Sequence, residues 1–353
     1  MPLSRRAVLA APLALAQPAP VDFGRRIRVA MIGTVGHPGE IISTLPKAKG
    51  VELAAIHDRE PARAARMLRN PALASAKTYA DYRQLLDAEK PDVVAVCNDN
   101  GHRAEVIVEA ASRGHHVIAE KPIAITRPQL AAVRSAVEKS GVRLSSLLKM
   151  RDARASLAIR KLAREGALGE IVQIESQKSY RYAGQDEWKK RKATFGGTLP
   201  WIGIDLIDLM RWSSGREFTE VFALHARLGL PELGEMETSA CALFRLDNGG
   251  QAVLRLDYLR TSGAPTHGDD RLRLAGNAGI AEYQMGTGLT LQLKDRKQTT
   301  VTDLPPEGGL FLDFLSSIYL NQPPALTAAD VFRTCEIVLA AYDSAETRRP
   351  VAL

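Results

Sequence analysis

Glycines at positions 33, 36 and 39 follow directly on the apolar run Ile27-Arg28-Val29-Ala30-Met31-Ile32, and a helix-forming stretch begins near Glu40. A strand, a glycine turn and a helix in that order can receive a diphosphate. Glycine lets the backbone come close, and the helix N-terminus favours negative charge. The spacing is G-x-x-G-x-x-G, with Val35 where a dinucleotide fingerprint has its middle glycine, so the turn alone does not decide. A second apolar run over 51–56 ends at His57-Asp58-Arg59. Asp58 stands 25 residues past Gly33, near the roughly 20 expected of an acid that holds a ribose 2′-hydroxyl. Arg59 beside it would suit a 2′-phosphate, so NAD and NADP both remain open. Gly33, Val35, Gly36, Asp58 and Arg59 are candidate dinucleotide contacts.

Glu120-Lys121-Pro122 closes a strand expected over 116–119. Proline holds the residue before it in extended backbone, which fixes the direction of the Lys121 side chain. A lysine beside a carbonyl or alcohol can hydrogen-bond the reacting oxygen and move its proton while a nicotinamide carries the hydride. Further along, Trp201 and Asp205 lie one turn apart in a run with helical spacing over 199–212, so they share a face. Lys178-Ser179-Tyr180-Arg181 joins basic and aromatic groups of the kind that stack on sugars or pair with acids. His267, in the polar loop 266–270, is the nearest imidazole of this half. Lys178, Tyr180, Arg181, Trp201 and His267 are therefore candidate substrate contacts, whereas the basic run 189–192 reads as a solvated face. No Cys/His cluster, Ser-His-Asp order or EF-hand loop is present, and no metal is expected. Cys97, Cys241 and Cys335 are odd in number and widely separated, which suits burial as small apolar residues.

The elements that must position these groups alternate in type. Strands are expected over 92–97, 116–119 and 142–148, with helices over 79–88, 102–112 and 128–139. Alternation of this kind specifies a parallel, doubly wound sheet, whose ligands bind beyond the carboxyl ends of the strands. Asn98, His102 and Glu120 fall on that edge and join the candidate cofactor contacts. After a helix over 153–164 the apolar period shifts toward two. A strand over 171–176 and hairpins across 247–250 and 276–279 indicate a mostly antiparallel open sheet. Two helices, over 311–320 and 328–345, are expected to return to the first domain. The expected fold is an α/β Rossmann domain over 25–148 followed by an α+β domain over 149–353.

The chain has 353 residues, 45% of them apolar and 25% charged, with a net charge of +7. This is globular composition for two domains. The basic excess is small and dispersed, which argues against nucleic acid as a partner, and no apolar run is long enough to span a bilayer. At the N-terminus, Arg5-Arg6 precedes a short apolar stretch and Ala14-Leu15-Ala16 offers a cleavage site. Residues 1–24 therefore read as a twin-arginine export signal and lead-in, and the expected location is the periplasm.

The segment Gly114-His115-His116-Val117-Ile118-Ala119-Glu120-Lys121-Pro122, preceded by the Gly33 turn and Asp58-Arg59, resembles the Gfo/Idh/MocA family of sugar dehydrogenases. The resemblance runs from about Arg26 to the C-terminus. It implies that Glu120 and Lys121 lie by the nicotinamide, that Lys121 is the catalytic group, and that an exposed sheet face serves a dimer or tetramer. Of Cys97-Asn98-Asp99-Asn100-Gly101-His102, only His102 matches a turn that often carries Thr-Pro in the family. Family members usually carry an Asp, a Gly and then a His that joins the lysine. With Gly203 as the shared glycine, Trp201 stands at the Asp position and Asp205 at the His position, while Asp208 fits a later aspartate. An ionised Asp205 would keep a neighbouring lysine charged, which weakens it as a base for alcohol oxidation. The expected function is NAD(P)-dependent oxidation or reduction of a sugar or sugar derivative, with Lys121 and Asp205 catalytic. Two alternatives stand beside it: a glycosidase or lyase using tightly bound NAD in a transient redox cycle, and a sugar-binding protein whose catalysis has lapsed.

Overall fold

The computed structural model describes residues 19–182 and 186–353, so the arginine pair and cleavage site of the leader lie outside the described residues. Six parallel strands form the first sheet: β1 (Val21–Ile32), β2 (Ala48–His57), β3 (Lys77–Thr78), β4 (Val93–Val96), β5 (His116–Ala119) and β6 (Leu144–Ser146). Their order, β3-β2-β1-β4-β5-β6, reverses direction between β1 and β4 and so creates a crevice at the carboxyl edge. The connecting helices are α1 (Pro38–Thr44), α2 (Pro61–Met67), α3 (Tyr82–Glu89), α4 (Asn100–Ser112) and α5 (Arg127–Ser140).

Period-two alternation sorts these strands into two cores. Ala30, Ile32, Val94, Val96, Val117 and Ala119 face α4 and α5, while Val29, Met31, Val93, Ala95 and Ile118 face the opposite side. Strand β1 starts at Val21, earlier than the sequence indicates. Val21 and Asp22 pair with Ala48 and Lys49, and the register then slips across a polar stretch before Ile27, which hides the extension from an apolar-run reading.

The second sheet has nine strands: β7 (Ile171–Ser179), β8 (Phe218–Ala226), β9 (Ser239–Leu246), β10 (Gln251–Asp257), β11 (Arg271–Gly276), β12 (Gly279–Gln284), β13 (Gly288–Leu293), β14 (Thr299–Val301) and β15 (Val351–Ala352). Their order is β14-β13-β12-β11-β7-β10-β9-β8-β15, antiparallel throughout except where β7 pairs with β10. Both expected hairpins form, with Ala252 opposite Phe244 and Leu274 opposite Ala281. The helices of this half are α6 (Arg154–Arg164), α7 (Lys192–Phe195), α8 (Ile204–Ser214), α9 (Leu310–Tyr319) and α10 (Ala328–Thr347). Phe311, Phe314 and Leu315 of α9 fill one face of the first sheet, whereas α10 packs chiefly on β8 of the second. Cys241 corrects one expectation. It is exposed, because alternation along β9 buries Ala240 and Ala242 and turns Cys241 outward. Among the described residues, no helix is long and apolar enough to cross a membrane.

Candidate active site

The carboxyl ends of β2, β1, β4 and β5 lie side by side, and each delivers a candidate residue. Gly33 and Gly36 adopt φ of +83° and +80°. A Cβ on Gly33 would stand 2.4 Å from the Asn98 backbone, and one on Gly36 would stand 2.4 Å from the Glu120 carboxyl. Only glycine fits either place. Asp58, buried at the end of β2, accepts hydrogen bonds from Thr34 Oγ1 (2.6 Å) and the Glu60 amide (2.8 Å). The remaining lone pairs suit a ribose diol. The Asn98 amide oxygen is buried without a hydrogen-bond partner among the described residues. His102 Nδ1 lies 2.7 Å from Asp99 Oδ1, and the exposed Arg59 reaches within 3.9 Å of Asp99.

A cavity of about 250 Å³ is lined by Gly33, Val35, Asp58, Arg59, Asn98 and His102, together with Arg63 and Trp188. Gly36 lines a second cavity of about 490 Å³ that shares Val35 and Arg63 with the first. The glycine cradle, the ribose-type acid and the orphaned Asn98 oxygen together fit a nicotinamide dinucleotide. Lys189 also lines the second cavity, with Nζ 5.4 Å and 5.7 Å from the centres of the Trp188 and Trp201 rings. The solvated reading of 189–192 is thus corrected at its first residue, and burial lowers the Lys189 pKa from its ordinary value.

Glu120 links the glycine turn to the reactive lysine. Its buried carboxylate accepts from the His37 backbone, lies 2.8 Å from His37 Nδ1 and accepts from the Lys121 amide at 3.1 Å. The Lys121–Pro122 peptide is cis. Lys121 is only 4% exposed, yet its ammonium is well supplied with partners. It donates to the Trp201 carbonyl at 2.7 Å, pairs with Asp205 Oδ2 at 2.9 Å and lies 4.6 Å from the centre of the Trp201 ring. The helix expected over 199–212 opens with a π-helical turn, Leu199–Gly203, before α8. Such turns interrupt the regular hydrogen-bond ladder, and Lys121 docks on a carbonyl of this one.

Asp205 also takes Lys178 Nζ at 3.2 Å. Lys178 is 2% exposed, lies 3.1 Å from Met150 Sδ and 3.7 Å from Asp270 Oδ2, and stands beside the Tyr180 ring. Burial opposes ionisation of Asp205, but Lys121 and Lys178 outweigh it and hold the carboxyl down at about 2. Burial is the largest influence on Lys178 and works against its charge, but Asp205, Tyr180 and Asp270 together outweigh it, so its pKa rises. Burial pushes Tyr180 up to about 12 and raises Asp270 above the ordinary carboxyl range. Asp270 Oδ1 is buried with no hydrogen-bond partner among the described residues.

The structure therefore brings together Lys121, Asp205, Trp201, Lys178 and Tyr180. Lys178, a candidate substrate contact, is tied to Asp205. Arg181 turns to the Ser262 carbonyl (3.3 Å), and the exposed His267 rests against Tyr180 at 4.9 Å between ring centres, so both stand at the rim. Asp208 serves packing: Arg151 grips it through both oxygens at 2.6 and 2.7 Å, and Thr334 of α10 donates to it.

Residues 27–147 match the family described as oxidoreductase, NAD-binding Rossmann fold, and residues 156–282 match the GFO/IDH/MocA C-terminal domain. The chain belongs to the Gfo/Idh/MocA oxidoreductase family. A solved structure from Thermotoga maritima is 33% identical, with a TM-score of 0.88 over 93% of this chain and 100% of that one. The uncharacterized oxidoreductase YrbE of Bacillus subtilis is 26% identical over 288 residues, 78% of this chain and 82% of that protein. Inositol 2-dehydrogenase of Salmonella typhimurium is 28% identical over 222 residues, which span 61% of this chain and 63% of the enzyme. As a Gfo/Idh/MocA chain, this one binds NAD(P) through its Rossmann half. Around its buried lysine it has an aspartate, a tryptophan carbonyl and a second lysine, and no imidazole contacts Lys121 among the described residues.

Proposed function

We propose that this protein is an NAD(P)-dependent oxidoreductase acting on a CH–OH group of a sugar or sugar derivative, with Lys121 moving the proton at the reacting oxygen. One observation carries the reading: a buried lysine at the carboxyl edge of the sheet, next in sequence to the glutamate that closes over Gly36, and paired with Asp205. Named relatives such as inositol 2-dehydrogenase support the substrate class. Bound nicotinamide supplies or accepts the hydride.

The chain's own groups divide the remaining work. Two of the three Lys121 N–H bonds face the Trp201 carbonyl and Asp205, leaving one for a substrate oxygen. A charged donor in a buried site stabilises developing negative charge on that oxygen by about 3 kcal/mol. Asp205 stays ionised at working pH and favours the ammonium form, so the arrangement suits polarising a carbonyl better than abstracting an alcohol proton. The free oxygen of Asp270 accepts a substrate hydroxyl. Asp58, with its carboxylate fixed by Thr34 and Glu60, would repel a 2′-phosphate, which supports NAD over NADP.

Two further parts of the proposal concern place and assembly. Arg5-Arg6 and the Ala14-Leu15-Ala16 site support twin-arginine export, which would carry the folded protein out with its dinucleotide. Val172, Leu224, Leu243 and Val253 are exposed on the outer face of the second sheet, with Leu243 directly opposite Val253, and support a homo-oligomer formed through that face.

The test is mass spectrometry of the co-purifying nucleotide, followed by absorbance at the reduced-nicotinamide band across a panel of sugars and their oxidised forms. Wild type should change absorbance and Lys121→Met should not. Product release without net reduction would point instead to a redox-cycling glycosidase or lyase. Sugar binding with neither signal would point to lapsed catalysis.

A further inference from the structure

A second cluster of chemically competent side chains lies outside the lysine site. His225 of β8, Glu237 in the turn before β9 and Glu346 near the end of α10 converge, and one ligating atom from each lies within 4.8 Å of the others. Glu237 is the informative member, with its side chain only 5% exposed. Its Oε2 accepts the Thr198 amide at 2.9 Å, but its Oε1 is buried with no hydrogen-bond partner among the described residues. His225 Nδ1 is buried and unpartnered in the same way.

These two orphaned atoms face one another at 3.7 Å. That separation is too long for a hydrogen bond. It is close to the roughly 3.4 Å between two ligands that each sit about 2.1 Å from one tetrahedral ion. Two buried polar atoms left without a hydrogen bond are costly, and a shared cation removes the cost. The region already attracts positive charge: Lys192 Nζ lies 2.6 Å from Glu346 Oε1 and 3.5 Å from Glu237 Oε1. The ammonium spans the two carboxylates, yet it leaves both His225 Nδ1 and Glu237 Oε1 without a hydrogen bond, so it does not do the work of an ion held jointly by the imidazole and both carboxylates. The Lys192 side chain is 42% exposed and has a path to solvent.

We propose that His225, Glu237 and Glu346 form a binding site for one divalent transition-metal ion of the zinc class, with Lys192 swinging out as the ion enters. One imidazole and two carboxylates suit zinc, whereas magnesium and calcium prefer all-oxygen shells. The site differs in place and ligands from the lysine cluster, yet it touches that cluster's support. Glu237 holds the Thr198 amide and its own carbonyl accepts the Thr198 hydroxyl at 2.7 Å, immediately before the π-helical turn that carries Trp201. A bound ion would tie the end of α10 and strand β8 to that seat, so its role is structural.

The experiment uses the purified full chain, stripped with a chelator, titrated with zinc by calorimetry and checked by elemental analysis, with magnesium and calcium run alongside. The expected result is one zinc per chain and no comparable magnesium or calcium binding. His225→Ala and Glu346→Gln should each weaken zinc binding by about tenfold or more. Glu346→Gln acts at a half-exposed position, away from the Thr198 contacts, and so tests the ligand without loosening the fold. Lys192→Met should tighten zinc binding, because it removes the competing ammonium. Absence of stoichiometric zinc, binding unchanged in both ligand variants, or no tightening in Lys192→Met would each overturn the proposal.

Discussion

Asp205→Asn is the most informative perturbation, because it keeps the shape of the side chain and removes the charge that stands between two buried ammonium groups. Lys121 and Lys178 lie 2.9 Å and 3.2 Å from the same carboxylate oxygen, so their nitrogens are no more than about 6 Å apart. With the carboxylate gone, two charges at about 6 Å repel by about 3 kcal/mol at an effective dielectric of about 20. That corresponds to roughly a hundredfold change in the balance between the doubly charged pair and the pair that has lost one proton. Asp270 remains 3.7 Å from Lys178, so Lys121 is the member that loses its carboxylate partner in the variant. Losing one partner of a buried ion cluster also costs stability, by about 3–5 kcal/mol. The assay is single-turnover reduction of bound nicotinamide by sugar alcohols across pH, with thermal melts in parallel. The variant should oxidise the alcohol on the order of tenfold faster near neutral pH (about 1.4 kcal/mol), reach half-maximal rate at lower pH and reduce the corresponding carbonyl more slowly. Asp205→His, which supplies a neutral proton carrier, should show the same sign. If Asp205→Asn slows both directions while nucleotide affinity is unchanged, Asp205 is itself the working carboxylate and the reasoning from Lys121 fails.

Other parts of the account can be checked independently. Asp58→Ala should weaken NAD binding by about 1.5–3 kcal/mol, read by calorimetry, with NADP affinity less affected; unchanged NAD affinity would remove Asp58 from the ribose. Because the Asp205 carboxyl is depressed from 3.8 to about 2, its contribution to stability is full above about pH 4 and is lost as pH falls toward 2. Denaturant melts should therefore show wild type losing about 2–3 kcal/mol more than Asp205→Asn across that window, and parallel losses would contradict the pairing. Replacing Arg5-Arg6 with Lys-Lys should leave the protein in the cytoplasm, as cell fractionation would show, whereas normal amounts of mature protein outside would refute twin-arginine export.

What the sequence made legible was mostly local. Gly33, Asp58, Asn98 and Glu120 each end or follow a short apolar strand, and a parallel sheet with adjacent strands brings their carboxyl ends together without further information. Asp205 was legible through helical spacing and family resemblance, although the π-helical turn that frees the Trp201 carbonyl for Lys121 was not. Cys241 was misread because residue type was weighed above strand period, and along β9 the period decides burial. Lys178 was legible as a candidate substrate contact from its aromatic and basic neighbours, but its contact with Asp205 was not. That contact is set by how α8 packs on β7, which no local pattern encodes.

Asp270 shows most clearly where sequence reading ends and what lies beyond it. It stands 65 residues from Asp205 in a polar loop with no motif of its own. The antiparallel pairing of β11 with β7 puts Arg271 opposite Gln177, and that register carries Asp270 to the end of the Lys178 side chain. Two lysines and two aspartates then make a buried cluster of no net formal charge, with Lys121 against the Trp201 ring. An ion pair in such a place prepares the site differently from an imidazole. Histidine can be found in either protonation state near neutral pH. An aspartate held at about 2 between two cations keeps its charge throughout the working range. On the function proposed above, such a site presents a hydrogen-bond donor to a substrate oxygen, and the nearby imidazole, His37, is tied to Glu120. The sheet register therefore sets the charge balance of the site, because it supplies Lys178 and Asp270 to a pair that the helical segment and the Rossmann edge would otherwise form alone.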